Sequence, residues 1–280
     1  MSMETEKILE CFPSLAELAI IPRVSGQKHA YTAVSPEFGD VVVKVACPFN
    51  DDPRLIREIE IMQDGDFRQV PRFRGYKIVD SPLGRMLLTV EDRIKGADLF
   101  SILAKTGQPD YTTLINLTRD ILTTLCDVEK KGIVHRDIKP ANIIQDESGK
   151  FWLIDFGIAR VLGAESITAT GSPDGPQTLG YASPEQMDNI KAEITSKSDL
   201  FSLGVVLTEC ILGYNPFLKL AQSRYEAKSR VRNLEIKYPD VRGDDRGVFV
   251  SFVKWLTEKR PLRRPGSAAF ALQIFNANFP

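Results

Sequence analysis

The stretch His135-Arg136-Asp137-Ile138-Lys139-Pro140-Ala141-Asn142 sets a carboxylate, an ammonium group and a carboxamide close together, at Asp137, Lys139 and Asn142. A second carboxylate, Asp155, follows at the end of the apolar run from Phe151 to Ile154. Oxygen donors clustered with one cation suit a hydroxyl nucleophile, a phosphoryl group and hard metal ions. Asp137 lies two residues past a histidine, so on a fixed loop its carboxylate can be aimed at a nucleophile and take its proton. Lys139, two positions further, points the same way and can neutralise charge on a migrating phosphoryl group. His135 reads as a packed scaffold residue, because phosphoryl transfer asks mainly for positioning and electrostatics.

The pattern H-R-D-x-K-P-x-N followed by Asp155-Phe156-Gly157 resembles the catalytic core of eukaryotic-like (Hanks-type) serine/threonine protein kinases, here as a bacterial-style stand-alone catalytic domain. The resemblance implies an α+β, bilobal fold. A small antiparallel N-lobe sheet of five strands with one helix would precede a larger, mainly helical C-lobe, with ATP between them. It also implies transfer of the γ-phosphoryl group of ATP to a protein Ser or Thr hydroxyl. Asp137 and Lys139 would be catalytic, and Asn142 and Asp155 would hold two Mg2+ ions, with Mn2+ as the alternative metal. Lys139 followed by Pro140 looks serine/threonine-specific, and Ile158 hints at threonine over serine. One kinase domain would fill residues 1–280: an extension to about residue 18, N-lobe and hinge over 19–93, and C-lobe over 94–280.

Several elements must position these groups. Met1 to Leu18 reads as an amphipathic helix interrupted by Pro13, and strands follow at Ala19 to Val24, His29 to Ser35 and Asp40 to Ala46. In Val41-Val42-Val43-Lys44-Val45, period-two geometry puts Lys44 on the face of Val42, and Lys44 matches the family lysine that holds the α and β phosphates. A helix over Asp51 to Asp64 carries Glu58, the matching glutamate partner, with Glu60 as its rival. Two more strands lead to Glu91-Asp92-Arg93 as the hinge, where backbone groups of Glu91 and Arg93 would take the adenine edge, with Val90 as gatekeeper and Ile144 as a further nucleotide contact. Asp98 can cap a short helix, and Tyr111 to Lys131 reads as a long helix that delivers the chain to the loop.

Beyond Gly157, a Ser-, Thr-, Gly- and Pro-rich segment would be the activation segment, closing at Ser183-Pro184-Glu185. Thr168, Thr170 or Ser172 is the expected autophosphorylation site, docking on Arg136. The resemblance gives Thr178 a contact with Asp137 and Lys139, gives Asp199 the backbone of the catalytic loop, and pairs Arg264 with Glu185. The helix opened by Ser198-Asp199 is apolar on nearly every side and must be central to a lobe.

The family's glycine-rich lid is the main departure. Only Gly26 remains in the stretch from Arg23 to Ala30, so Ser25, Gly26 and Lys28 are the expected phosphate contacts there. Val42 stands where alanine is usual over the adenine and Ala30 where valine is usual, a volume-conserving exchange. Two other readings belong beside the kinase: a pseudokinase-like binding or scaffold module, and a small-molecule kinase.

Among 280 residues, 36 are basic and 37 acidic, for a formal net charge of -1. No bulk field argues for nucleic acid or an anionic membrane. Hydrophobic content of 43% and charged content of 26% are those of a globular protein. Cys11, Cys47, Cys126 and Cys210 lack metal-site spacing and fit a reducing compartment. With no apolar signal core or membrane-length run, the expectation is a cytoplasmic signalling enzyme whose partners are protein substrates and, in trans-autophosphorylation, a second copy of itself.

Overall fold

Strand-like alternation dominates the first third of the chain and folds as one antiparallel sheet. The computed structural model describes residues 2–22, 29–49, 53–156 and 179–280, with side chains in 53–64 described at Ile56 and over 59–63. The chain divides into two compact units. The first takes the chain to Asp66 and then Pro71–Ile94. It holds α1 (Met3–Cys11), β1 (Ala16–Ile20), β2 (His29–Ser35), β3 (Gly39–Ala46), α2 (Pro53–Asp64), β4 (Phe73–Ser81) and β5 (Gly84–Asp92). The five strands lie in the order β1-β2-β3-β5-β4.

The two faces of this sheet bury different helices. Val41, Val43 and Val45 of β3 pack with Tyr31, Ala33, Met86, Leu88 and Val90 against Ile8 of α1. Burying each such aliphatic side chain contributes about 1.5–3 kcal/mol. Leu87 packs on the other face with Phe49, Phe73 and Ile59 of α2, and Ala46 and Ile56 lie against that cluster. Successive strand residues alternate faces, so Val42 and Lys44 share the face of Ala46, the one on which α2 packs.

The N-terminal helix is shorter than its sequence suggests. It ends at Cys11, where the Phe12 N–H donates to the Ile8 carbonyl at 2.8 Å, and Pro13 then prevents continuation. Strand β1 begins at Ala16, three residues before the expected start, with Ala16 opposite Val34 and Ile20 opposite Tyr31. Ladder pairing overrides the helix propensity of Leu15-Ala16-Glu17-Leu18, and an irregularity in register between Ala16 and Ala19 accommodates Glu17 at φ 54°.

The second unit holds Phe67–Val70 and the chain from Lys95. Its elements are β6 (Gly96–Asp98), α3 (Leu99–Thr106), α4 (Tyr111–Lys130), a 3-10 turn at Pro140–Asn142, β7 (Ile143–Asp146), β8 (Phe151–Leu153), α5 (Pro184–Met187), α6 (Ser196–Leu212), α7 (Arg224–Asn233), α8 (Val248–Leu256), a second 3-10 turn at Pro261–Arg263 and α9 (Ala268–Asn278). The division thus falls after Ile94, and it places Phe67–Val70, expected within the 19–93 span, in this unit. Arg68 explains the placement: its guanidinium is bidentate on Asp127 of α4, at 2.8 and 2.7 Å, and the Gln69 carbonyl accepts from Leu153 N at 2.9 Å.

Strands β6, β7 and β8 form a small sheet that follows the His135–Asn142 stretch at β7. Gly96 permits the close approach of β6 to β7, since a Cβ there would stand 2.1 Å from the Gln145 carbonyl oxygen. Asp98 caps α3, accepting from Ser101 N at 2.8 Å. Helix α6 is buried along almost its whole length, including Ser198, Asp199, Ser202 and Thr208, and its exit is made by Gly213 at φ 75°. Such a helix must satisfy its buried polar groups internally, and Asp199 does so on the catalytic stretch. All four cysteines are free thiols, and burial pushes Cys126 up to about 11, away from thiolate chemistry. Among the described residues, no helix is long and apolar enough to cross a membrane.

Candidate active site

The loop from His135 to Asn142 is held from beneath by one carboxylate. Asp199 Oδ2 accepts from His135 N and Oδ1 from Arg136 N, each at 2.7 Å. Arg136 has φ 65°, a conformation that costs a non-glycine residue about 1–2 kcal/mol. The surroundings over-determine it, because the Arg136 carbonyl also accepts from Gln186 Nε2 at 3.1 Å. Gln186 is itself fixed by Ser183, whose N–H and hydroxyl both donate to Gln186 Oε1 at 3.1 Å. Strain retained in this way marks a position where backbone direction matters more than its cost.

His135 is fully buried, edge-on to Phe156 with ring centroids 4.6 Å apart. Its Nδ1 accepts from Asp137 N at 3.2 Å, so Nε2 carries the hydrogen and donates to the Ile154 carbonyl at 3.0 Å. Both nitrogens are therefore engaged with backbone, and the imidazole is a brace between the loop and the segment leading to Asp155.

On this brace Asp137 receives two donors at one oxygen. Lys139 Nζ donates to Oδ2 at 3.0 Å and Asn142 Nδ2 at 3.1 Å, while Nδ2 also reaches the Asp137 carbonyl at 2.9 Å. Asp137 and Lys139 remain partly solvent-accessible. The Asn142 amide spends its donors on Asp137 and so has its oxygen left to offer a cation. Asp155 is drawn near because the Asn142 carbonyl accepts from Ile154 N at 2.9 Å, and Asp155 adopts φ 62°. One carboxamide oxygen and one carboxylate are hard donors, too few for an all-protein cage. Among the described residues, no group of three His, Cys, Asp or Glu side chains is placed to hold a metal ion. That donor set fits Mg2+, which keeps waters and takes substrate phosphate oxygens as its remaining ligands. A small pocket beside the loop is lined by Arg136, Asp137, Ile138, Tyr181, Ala182 and Ser202.

Arg264 secures the other end of this unit. Its guanidinium donates to Glu185 at 2.6 and 3.0 Å and to the carbonyls of Lys197, Glu258 and Lys259 at 3.0, 2.7 and 3.0 Å. Burial pushes the Glu185 carboxyl up, but the hydrogen bonds and charge of Arg264, with the Ser198 hydroxyl, outweigh it and hold the group below the usual glutamate range.

In the first unit, Lys44 stands opposite Ala30 on β2 and opposite Thr89 on β5. Val42 lies one diagonal step from Ala30 on the same face. The Lys44 ammonium meets Glu91 Oε1 at 2.5 Å. Two expectations change here. Val90, expected as gatekeeper, packs on the α1 face, because strand parity turns it away from Lys44; Thr89 and Glu91 hold the Lys44 face instead. Glu91 and Asp92, expected in the hinge, are the last two residues of β5, opposite Val42 and Val41. Arg93 follows, its N–H donating to the Asp40 carbonyl at 3.0 Å, so that amide closes the sheet and is not open to a ligand. Ile144 sits on β7 opposite Asp98 and Trp152, half-buried.

The side chain of Glu58 lies outside the described residues, as do Ser25, Gly26, Lys28, Thr168, Thr170, Ser172 and Thr178. Helix α2, which carries Glu58, packs on the Lys44 face of the sheet. Sequence reasoning missed Gln186 and the Glu91 carboxylate. The capping-box pattern Ser183-x-x-Gln186 is a readable signal for the first; only strand register exposes the second.

A family model described as a protein kinase domain matches residues 41–279. A probable serine/threonine-protein kinase, PkwA of Thermomonospora curvata, is 32% identical over 255 residues, which is 89% of this chain and 32% of that protein. The serine/threonine-protein kinase PknL of Mycobacterium tuberculosis is 36% identical over 149 residues, 51% of this chain and 36% of that one. The chain thus spans about a third of the length of these curated relatives. Two solved structures share the fold. Rad53 in complex with AMP-PNP has a TM-score of 0.68 at 24% identity, covering 97% of this chain and 69% of that one. The kinase domain of Mycobacterium tuberculosis PknI has a TM-score of 0.64 at 17% identity, covering 95% and 97%.

Proposed function

This chain belongs to the protein kinase family, matched over residues 41–279, and from that premise we propose that it is an ATP-dependent serine/threonine protein kinase. The observation that carries the reading is Asp137, a partly exposed carboxylate with Lys139 and Asn142 on one oxygen, on a loop whose backbone is locked by buried Asp199. Asp137 orients the acceptor hydroxyl and takes its proton as the hydroxyl oxygen bonds to the γ-phosphorus and the bond to the β-phosphate oxygen breaks, releasing ADP. Lys139, already 3.0 Å from Asp137, keeps a positive charge beside the transferring group. Asn142 and Asp155 would hold Mg2+, which when bound neutralises phosphate charge.

On the nucleotide side, Lys44 holds the α and β phosphates with Glu58 as a supporting carboxylate, and Val42 and Ala30, diagonal neighbours on one face, cover the adenine. Ser25, Gly26 and Lys28 are proposed to reach the phosphates and Ile144 to line the slot. Regulation would run through autophosphorylation in trans of Thr168, Thr170 or Ser172 and docking on Arg136. The free thiols and balanced charge support a reducing, cytoplasmic setting.

The deciding experiment incubates the protein with Mg2+ and γ-radiolabelled ATP, alone and with a general protein substrate. Transfer to protein Ser or Thr is expected, and Asp137→Ala is expected to lower it by about two to four orders of magnitude. ATP binding without transfer would make the chain a pseudokinase-like binding module. Transfer confined to a small metabolite would make it a small-molecule kinase.

A further inference from the structure

Lys44 and Glu91 reach each other across two adjacent strands. Glu91 stands opposite Val42, so it is the diagonal neighbour of Lys44 on the shared face of β3 and β5. Diagonal pairs are about 7–8 Å apart at the backbone and meet only through long side chains, and here a four-carbon stem and a glutamate close to 2.5 Å. The side chains are 21% and 16% exposed, so the pair is only partly screened by solvent. A carboxylate at that distance cancels the lysine's charge locally and so weakens the hold of the ammonium on any phosphate that approaches it.

Resting on the reading that Lys44 takes nucleotide phosphates, we propose that Glu91 competes with those phosphates for the Lys44 ammonium and thereby sets the affinity for ATP. Glu91 is a positioning residue in this account, acting on the nucleotide through Lys44. The competition is electrostatic, so it acts on the phosphates and not on the base. Removing the carboxylate charge leaves a lysine whose field is uncompensated from that side, and phosphate binding tightens.

The test is calorimetric titration of the full chain with MgATP and, separately, with adenosine. Glu91→Gln keeps the shape and a carbonyl acceptor while deleting the charge. The expected result is a Kd for MgATP about three- to tenfold lower than wild type at low salt, with adenosine unchanged. In a Lys44→Met background the same substitution is expected to have no effect, because the path through the ammonium is gone. Glu91→Asp, which keeps the charge but draws it back by one methylene, should fall between wild type and Gln and serves if Gln does not fold. The proposal is overturned if Glu91→Gln leaves MgATP affinity unchanged or weakens it, if the gain survives Lys44→Met, or if adenosine gains equally. Tighter MgATP binding in a protein that transfers no phosphate would sink the kinase reading and leave this one standing; normal transfer with no change in affinity would do the reverse. A chain that binds no MgATP in any form overturns both.

Discussion

Arg264 and Lys44 are both cations paired with a glutamate, one in each compact unit, and their settings differ. Arg264 and Glu185 are 0% and 1% exposed, bidentate, and surrounded by three carbonyls that use up the remaining donors. Lys44 and Glu91 are 21% and 16% exposed and meet through one flexible stem apiece. Guanidinium geometry suits the first setting, since a planar fork loses little freedom on being fixed; an ammonium suits the second, since it can turn between partners. One pair is built to stay closed under the catalytic loop. The other is built where a charge has to change partners.

The largest effect should come from breaking the closed pair. Arg264→Met leaves Glu185 buried without its counter-charge and is expected to destabilise the protein by about 3–5 kcal/mol in denaturant unfolding near pH 7. Its pH dependence sharpens the point. In the wild type the Glu185 pKa is held below its unfolded value, so its contribution is complete above that unfolded value and is lost as pH falls through the folded one. In Arg264→Met burial is opposed only by the Ser198 hydroxyl and a backbone hydrogen bond and raises the pKa, so the variant's deficit should shrink toward acid. A deficit independent of pH would show that the pair's charge is not what holds this region.

A third cation separates burial from pairing. Lys259 lies over the rings of Phe217 and Phe201, at 4.5 and 5.7 Å, and its Nζ has no hydrogen-bond partner among the described residues. Burial, with the charge of nearby Arg264, lowers its pKa to about 8. Between that value and the ordinary lysine range the unfolded chain binds more protons, so stability should rise with pH across that window, by on the order of 3 kcal/mol. Lys259→Met should abolish the rise. Persistence of the rise in the variant would assign it to other groups.

Lys44 should give the smallest change in stability and a large one in function. Lys44→Met is expected to cost less than about 1 kcal/mol in unfolding, in keeping with a partly exposed pair, while phosphoryl transfer to protein falls to near background. A loss of stability matching that of Arg264→Met would make the two pairs equivalent and erase the distinction.

The five strands and the buried helix α6 are legible in sequence because period two and all-round apolarity are local patterns. The residue types of the catalytic stretch are equally legible, since Asp137, Lys139 and Asn142 lie within one loop. What holds them is less so from the residues alone: Asp199, 63 positions from Arg136, is placed there only by the resemblance, and Gln186, 50 positions away, is not foreseen. Strand parity is the least legible of all. A one-residue offset at the end of β5 exchanges Val90 for its neighbours Thr89 and Glu91 on the Lys44 face, and apolarity alone does not distinguish a valine packed under α1 from one facing a ligand. Phe67–Val70 misleads for a similar reason, because the bidentate Arg68 contact that draws it to the second unit leaves no local signature.

The chain's order of residues determined the chemistry by itself: oxygen donors and a cation spaced along one loop, followed by a second carboxylate, with the strands and helices that local periodicity demands. Tertiary structure decided which carboxylate meets which cation. Composition and spacing specify covalent neighbours and faces, but an ion pair is made across strands or between distant helices, where register and burial select among several equally charged partners. Thus Glu185 came to Arg264 in a dry, fully bonded setting, and Glu91 came to Lys44 on a half-open sheet face.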